Sequence, residues 1–158
     1  MSDTIQSVLD ALKSKHGKDA ARKMSDGAGS AIKEVIPTGI TPLDQWVIGC
    51  GGLPVGRVTE LFSEEGGGKT SLMYQMLAQT QRVGGIPILV ETEDALDPDR
   101  AETFGVNLEN LILIEPNNME EALEQINTAI SSIPEGAGPI FLGWDSLAAT
   151  PTKAAIEA

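Results

Sequence analysis

A glycine-rich run between a short apolar segment and a helical pattern constrains this chain more than any other feature. The run reads FSEEGGGKTS and covers residues 62–71. A strand, a glycine turn and a helix that opens with Lys-Thr form the setting of a phosphate-binding loop, in which backbone amides surround oxygens at the positive end of the helix. Ser63 stands where the pattern G-x-x-x-x-G-K-[ST] has its first glycine. That glycine mainly eases the turn out of the strand, so we expect the loop to tolerate a serine there.

The side chains at the start of the predicted helix suit a polyphosphate and a magnesium ion. We expect Lys69 to reach the β- and γ-phosphates, the Thr70 hydroxyl to bind Mg²⁺, and Ser71 to touch the α-phosphate. The amides expected to converge on the phosphates belong to one continuous stretch: Glu65, Gly66, Gly67, Gly68, Lys69 and Thr70. The competing interpretation is a structural glycine turn that carries an incidental lysine.

Two apolar segments end in carboxylates that suit the same chemistry. IFLGWD (140–145) ends at Asp145, in the way a carboxylate is usually presented to Mg²⁺ beside a phosphate loop. LVETED (89–94) contains Glu91 and Glu93, which point to the same face of a strand because they are two residues apart. Either glutamate could orient and deprotonate an attacking water. By default Asp145 alone would cap the next turn, and either glutamate alone would be a surface carboxylate. Together with the lysine loop they predict a nucleotide site.

The chain from residue 37 onward alternates apolar segments with helical patterns. The predicted strands are 57–62, 86–92, 111–115 and 139–146, and the predicted helices are 69–83, 97–105 and 119–133. Asn118 and Glu121 have the spacing of a helix cap. Strands that are apolar throughout and separated by helices predict an α/β fold with a parallel sheet covered on both faces. Four strands are few for such a sheet.

The first 33 residues form a separate part of the predicted organisation. Ile5, Val8, Leu9 and Leu12 fall on one stripe of a helix over residues 3–15. Residues 25–34 are small and glycine-rich, which is typical of a linker. We therefore divide the chain into a helix and linker (1–33) and a core (34–158). Because an isolated helix of this length is marginal in water, we expect its stripe to pack on a partner.

Charge and cysteine content exclude several classes of protein. Acidic residues number 23 against 11 basic ones, a formal charge of −12, which argues against a broad basic face for nucleic acid on this chain alone. Basic residues do gather in the first 33 positions; they indicate a solvated face, with partner or DNA contact as the alternative. No apolar run approaches the roughly 20 residues that cross a bilayer, and the first residues lack the pattern of a secretion signal. A single cysteine, Cys50, predicts a reducing, cytoplasmic setting.

Several blocks of this sequence, in this order and spacing, resemble the bacterial RecA recombinase family. The blocks are IPTGITPLD (36–44), GGLPVGRVTELF (51–62), GGGKTSL (66–72), ETEDALDP (91–98) and DSLAATPTKAAIE (145–157). The resemblance runs from about residue 37 to the end and, more loosely, through the N-terminal helix. It implies a RecA-type phosphate-loop ATPase core, with ATP and Mg²⁺ bound. The variations are those of a divergent member, such as one encoded by a phage.

The resemblance also implies roles for individual residues. Lys69 and Thr70 match the family's phosphate-loop lysine and Mg²⁺-binding threonine, and Asp145 matches the aspartate on the Mg²⁺ side. Glu93, rather than Glu91, matches the glutamate that activates water.

Two further positions concern the base of the nucleotide. Asp97 matches an aspartate near the adenine. Arg100 replaces the aromatic that the family often stacks on that base, although a guanidinium can also stack. Arg100 and Ser63 are the two departures from the family's pattern.

For a whole protein, the resemblance implies an ATP-dependent recombinase that forms homo-oligomeric filaments on single-stranded DNA, with the N-terminal helix docked on the neighbouring subunit. The family's DNA-contacting loops and later strands follow the block that ends here. We therefore expect an incomplete sheet with an exposed apolar edge, little DNA binding, and weak or no ATPase activity from these residues alone. The alternatives are another RecA-fold ATPase, such as a helicase or repair ATPase, and a nucleotide-binding subunit that does not hydrolyse ATP.

Overall fold

The computed structural model describes residues 2–26, 32–92 and 96–157. It divides into two compact units, Met1–Lys33 and Glu34–Ala158. The first unit contains helix α1 (Ser2–His16) and a short 3-10 turn (Met24–Asp26). Helix α1 confirms the predicted N-terminal helix. Among the described residues, no helix is both long enough and apolar enough to span a membrane.

The second unit is an α/β structure around a parallel sheet. Its elements, in chain order, are β1 (Val35–Ile36), a π-helical turn (Leu43–Val47), β2 (Leu53–Pro54), α2 (Lys69–Arg82), β3 (Ile86–Glu91), α3 (Pro98–Thr103), a 3-10 turn (Leu108–Asn110), β4 (Ile112–Ile114), α4 (Met119–Ser132), β5 (Ile140–Asp145) and α5 (Lys153–Ile156). Strands β4, β3 and β5 form the sheet in that order, and both pairs are parallel. The α/β class, the parallel sheet and the helices between its strands are confirmed.

Strand β3 lies at the centre of the core, with helices against both of its faces. On one face Leu89 packs with Tyr74 and Leu77 of α2. On the other face Ile88 and Val90 pack with residues of α4 and β4. Residues 87–91 are all buried, as expected for a central parallel strand, because helices cover both surfaces of the sheet.

The prediction of a strand at 57–62 is wrong. These residues form no strand, and their side chains are exposed, with Val58 fully exposed and Phe62 84% exposed. A strand exists only where its amides and carbonyls pair with a neighbouring strand. In the described part of the chain the parallel sheet ends at β5, and segment 57–62 has no such neighbour. The local sequence of residues 57–62 was therefore not sufficient to form a strand.

A second small sheet was not predicted. Strands β1 and β2 pair antiparallel, with Val35 opposite Pro54 and Ile36 opposite Leu53. Two residues per strand are too few to show a periodic pattern, so the sequence gives no signal for this pair. Because β1 pairs with β2, residues 37–52 form a loop whose two ends lie together. This loop precedes the glycine-rich loop in the sequence.

The predicted cap at the start of α4 is present. The Asn118 side chain accepts a hydrogen bond from the Glu121 amide at 2.9 Å. Glu121 in turn accepts hydrogen bonds from the side chain and the amide of Asn117, and these bonds lower the pKa of Glu121 below its ordinary value. The Met119 amide donates to the Pro151 carbonyl at 2.8 Å, so the start of α4 is tied to the segment that follows β5.

We predict that Asn118→Ala lowers the free energy of unfolding by about 1 kcal/mol, because it removes the side-chain acceptor at the helix start. Asn127→Ala, on the exposed face of the same helix, should leave stability unchanged or raise it by a few tenths of a kcal/mol, since alanine is the better helix former. Urea unfolding followed by circular dichroism measures both. Equal effects of the two substitutions would contradict the capping role.

Candidate functional site

The glycine-rich loop turns sharply into helix α2. Gly66 and Gly68 have positive φ angles, +74° and +87°, a backbone conformation that side chains disfavour. The first helical hydrogen bond runs from the Leu72 amide to the Gly68 carbonyl (2.9 Å), so the amides of the preceding turn have no acceptor within the helix. The Gly67 amide is different, since it donates to the Glu64 carbonyl at 3.1 Å. Apart from Gly67, the predicted convergence of amides agrees with a helix start that has the capacity to bind an anion.

The Lys69 side chain folds back over the loop. Its ammonium donates to the carbonyl oxygens of Ser63 and Glu64, each at 3.1 Å, and lies 3.4 Å from the Ser63 hydroxyl. The positive charge is therefore held at the mouth of the loop by three oxygens. These neutral acceptors are weaker partners for an ammonium than phosphate oxygens, which carry charge.

The first turn of α2 meets the end of β5. The Thr70 hydroxyl donates to Oδ2 of Asp145 at 2.8 Å, across 75 residues of sequence. The structure therefore brings together the two side chains that the sequence assigns to Mg²⁺, next to Lys69.

A second strand end adds a carboxylate to the same cleft. Glu91 is the last residue of β3, is in register with Asp145 on the neighbouring strand, and is buried. Thr70, Glu91 and Asp145 line a narrow cavity whose other walls are the side chains of Met73, Tyr74, Leu89 and Leu96. Glu93, the predicted water-activating residue, lies outside the described residues.

Helix α3 begins next to the start of α2. Asp97 caps α3 by accepting a hydrogen bond from the Arg100 amide at 3.0 Å, and the Asp97 amide donates to the Tyr74 hydroxyl at 3.1 Å. The Arg100 guanidinium donates to the Ser71 hydroxyl at 2.7 Å. Arg100 and Asp97 were both predicted to lie near the base. Arg100 bonds Ser71, the residue expected to contact the α-phosphate, and Asp97 bonds the Arg100 amide.

Tyr74 is a residue whose role the sequence analysis missed. Its ring is buried against Phe104, with 6.0 Å between ring centroids, while its hydroxyl holds the Asp97 amide. Nothing in the local sequence distinguishes this tyrosine from any other core residue of an amphipathic helix. Only the packing of α2 against α3 shows that it fixes the position of Asp97.

A second group of residues that the sequence analysis missed supports the end of β5. The buried Thr150 hydroxyl lies 3.0 Å from Nε1 of Trp144 and 3.1 Å from the Thr92 hydroxyl. The Thr92 amide and hydroxyl both point to the Asp145 carbonyl, each at 3.4 Å. The peptide bond between Asp145 and Ser146 is cis. These contacts hold the backbone of Asp145, whose side chain accepts the hydrogen bond from Thr70.

The donor set at Thr70 and Asp145 fits magnesium. A hydroxyl and a carboxylate are the hard oxygen ligands that Mg²⁺ prefers. The described residues contain no group of three or more His, Cys, Asp and Glu side chains that could hold a metal ion alone. Mg²⁺ in nucleotide sites usually takes one or two protein ligands and completes its shell with water and phosphate oxygens, which Thr70 and Asp145 would allow.

Comparison with known proteins gives one consistent result. The family model described as the RecA N-terminal domain matches residues 3–158. Protein RecA of Methylococcus capsulatus is 39% identical over 153 residues, which are 97% of this chain and 43% of that protein. Protein RecA of Streptomyces ambofaciens is 41% identical over the same length, 97% of this chain and 40% of that protein. This chain thus spans about two fifths of the length of these curated relatives. It belongs to the RecA family, within the family's N-terminal domain.

Proposed function

We propose that this chain is the ATP-binding part of a recombinase, a DNA-dependent ATPase that forms filaments on single-stranded DNA and promotes homologous pairing and strand exchange. The observation that carries the nucleotide site is the 2.8 Å hydrogen bond between Thr70 and Asp145, next to Lys69 at the start of α2. Family membership favours a recombinase over a helicase or another repair ATPase. Because the chain spans about two fifths of its relatives, we propose that it hydrolyses ATP weakly and binds little DNA by itself.

Each group in the proposed site has a chemical task. The Lys69 ammonium exchanges the carbonyls of Ser63 and Glu64 for oxygens of the β- and γ-phosphates. The amides at the start of α2 bind the same anion. Thr70 and Asp145 hold Mg²⁺, which neutralises phosphate charge when it is bound. Glu93 takes a proton from the attacking water, and the buried Glu91 lines the same cleft as Thr70 and Asp145.

We predict that Lys69→Ala lowers ATP affinity at least about tenfold, since it removes a charge-assisted hydrogen bond. Lys33→Ala, an exposed lysine ahead of the core, is the matched control and should bind ATP as the parent does. Isothermal titration calorimetry with Mg²⁺-ATP gives both values. An ATP affinity that does not change when Lys69 is replaced would refute the site.

A second substitution tests the proposed magnesium ligand. Asp145→Asn should remove most of the gain in ATP affinity that Mg²⁺ provides and should leave ATP binding without Mg²⁺ intact. Titrations with and without Mg²⁺ measure both affinities.

The geometry suggests a phosphate contact for Arg100 in place of base stacking. Its guanidinium bonds the Ser71 hydroxyl, and Ser71 lies in the first turn of α2, where the α-phosphate is expected. A guanidinium suits phosphate oxygens because it presents several donors in a plane. We propose that Arg100 reaches the α-phosphate and that Asp97 remains the residue nearest the adenine.

Inorganic tripolyphosphate distinguishes the two roles of Arg100, because it has no base. If Arg100 contacts phosphate, Arg100→Ala weakens ATP and tripolyphosphate to a similar degree, about three- to tenfold for an exposed charged contact. If the guanidinium stacks on adenine, only ATP binding weakens. Arg22→Ala, an exposed arginine in the first unit, serves as the control. Competition titrations of the parent and both variants with each ligand measure the six affinities.

The N-terminal helix supplies the proposed contact between subunits. Ile5 and Val8 on its apolar stripe are 53% and 55% exposed, and Leu12 is 41% exposed. Exposed apolar side chains at helical spacing form a surface that a groove on another molecule can bury. We propose that this stripe docks on the core of a neighbouring copy in the filament.

We predict that removing residues 1–30 abolishes self-association and leaves ATP affinity unchanged. A narrower test is Val8→Asp, which places a charge on the stripe. Its control, Ser7→Asp, places the same charge on the opposite side of α1. Sedimentation velocity should show smaller species for Val8→Asp than for Ser7→Asp. Assembly that persists without residues 1–30 would exclude the docking role.

A further inference from the structure

Ser63 occupies the space in which a side chain at position 67 would lie. A Cβ atom built on Gly67 would overlap the Ser63 hydroxyl oxygen and come within 2.8 Å of the Ser63 Cβ and 3.0 Å of the Glu64 carbonyl oxygen. Real Cβ atoms do not approach other atoms this closely, so one of the two residues must be glycine while the loop keeps this shape.

The requirement at Gly67 differs from the requirement at its two neighbours. Gly66 and Gly68 have positive φ angles, and a Cβ on either would meet no atom within 4 Å. At those positions the backbone conformation demands glycine. Gly67 is outside the left-handed region, so its backbone would accept other residues. At position 67 the two closest contacts come from the Ser63 side chain, and the Glu64 carbonyl oxygen at 3.0 Å adds a smaller one.

Ser63 also lies at the centre of the contacts that hold Lys69. The Lys69 ammonium donates to the Ser63 carbonyl and lies near the Ser63 hydroxyl. The same hydroxyl donates to the Glu64 carbonyl at 3.0 Å, which is a second acceptor for Lys69. Moving the Ser63 side chain therefore moves one of the three oxygens near the ammonium and breaks the hydrogen bond to a second, the Glu64 carbonyl.

We propose that Ser63 and Gly67 act as a size-matched pair and that Ser63 is a positioning residue for Lys69. The hydroxymethyl group of Ser63 lies in the space that a side chain at position 67 would occupy, and it keeps the loop folded beside the Lys69 ammonium. This explains how the loop keeps its shape without a glycine at position 63. The inference rests on the proposed function, because it assumes that Lys69 binds the phosphates.

Four variants test the pair, with ATP affinity measured by calorimetry. Gly67→Ser should lower ATP affinity about tenfold or more, because the two serine side chains cannot occupy the same space and the loop must open. Adding Ser63→Gly to Gly67→Ser should restore affinity to within about threefold of the parent chain, because one hydroxymethyl group again fills the shared space; the remaining loss reflects the missing contact between the Ser63 hydroxyl and Lys69. The recovery is then at least about threefold, or about 0.7 kcal/mol, as expected for residues in contact.

Gly66→Ser is the matched control. It should also weaken ATP binding, but Ser63→Gly should give no rescue, because the strain at Gly66 comes from its φ angle of +74°. The nucleotide-free thermal midpoint should stay the same for Gly67→Ser, since residues 62–68 are exposed and can rearrange without opening the core. A large fall in that midpoint would indicate a merely structural role and would overturn the positioning role.

The outcomes separate this inference from the proposed function. If the parent chain fails to bind ATP, the proposed function fails. If the parent binds ATP but Gly67→Ser binds equally well, or the double variant binds no better than Gly67→Ser, the pairing of Ser63 with Gly67 is refuted and the nucleotide site stands.

Discussion

The hydrogen bond between Thr70 and Asp145 joins the two elements on which the whole site depends. It connects the first turn of α2 to the last residue of β5, and α2 packs on the sheet through Tyr74 and Leu77. The parallel strands β3 and β5 end at a common edge of the sheet, and the packing of α2 brings its first turn to that edge. The loop that precedes α2 and the carboxylate that ends β5 are therefore close in space although they are far apart in the sequence.

The loop and the elements that support it differ in burial. The support consists of buried β3, the core face of α2, and the contacts among Trp144, Thr92 and Thr150 that hold the end of β5. The loop itself is exposed and is shaped by local terms: two glycines with positive φ angles, the size match of residues 63 and 67, and an ammonium that bonds loop carbonyls. Binding loops carried on a rigid scaffold commonly show this division.

Among the described residues, two of the exposed apolar surfaces have the pattern of an element that packs on a neighbour. Segment 57–62 exposes Val58, Leu61 and Phe62, and α1 exposes most of its stripe. A strand needs a paired backbone and a short amphipathic helix needs a packed face before either is stable. Both surfaces therefore lack the packing partner that such an element needs for stability within the described residues.

The sequence by itself determined the local features: the loop, the helices at 69–83 and 119–133, the cap at Asn118, and the carboxylates at the strand ends. Glycine, capping residues and hydrophobic period act over a few residues, so they can be identified without knowledge of distant contacts. Tertiary structure alone decided that segment 57–62 forms no strand, that β1 pairs with β2, and that Tyr74 holds Asp97. It also decided that Arg100 bonds Ser71 and that the Ser63 side chain lies against Gly67. Those outcomes depend on which surfaces meet across space, and hydrogen bonding and steric overlap are set by those distances, not by residue type.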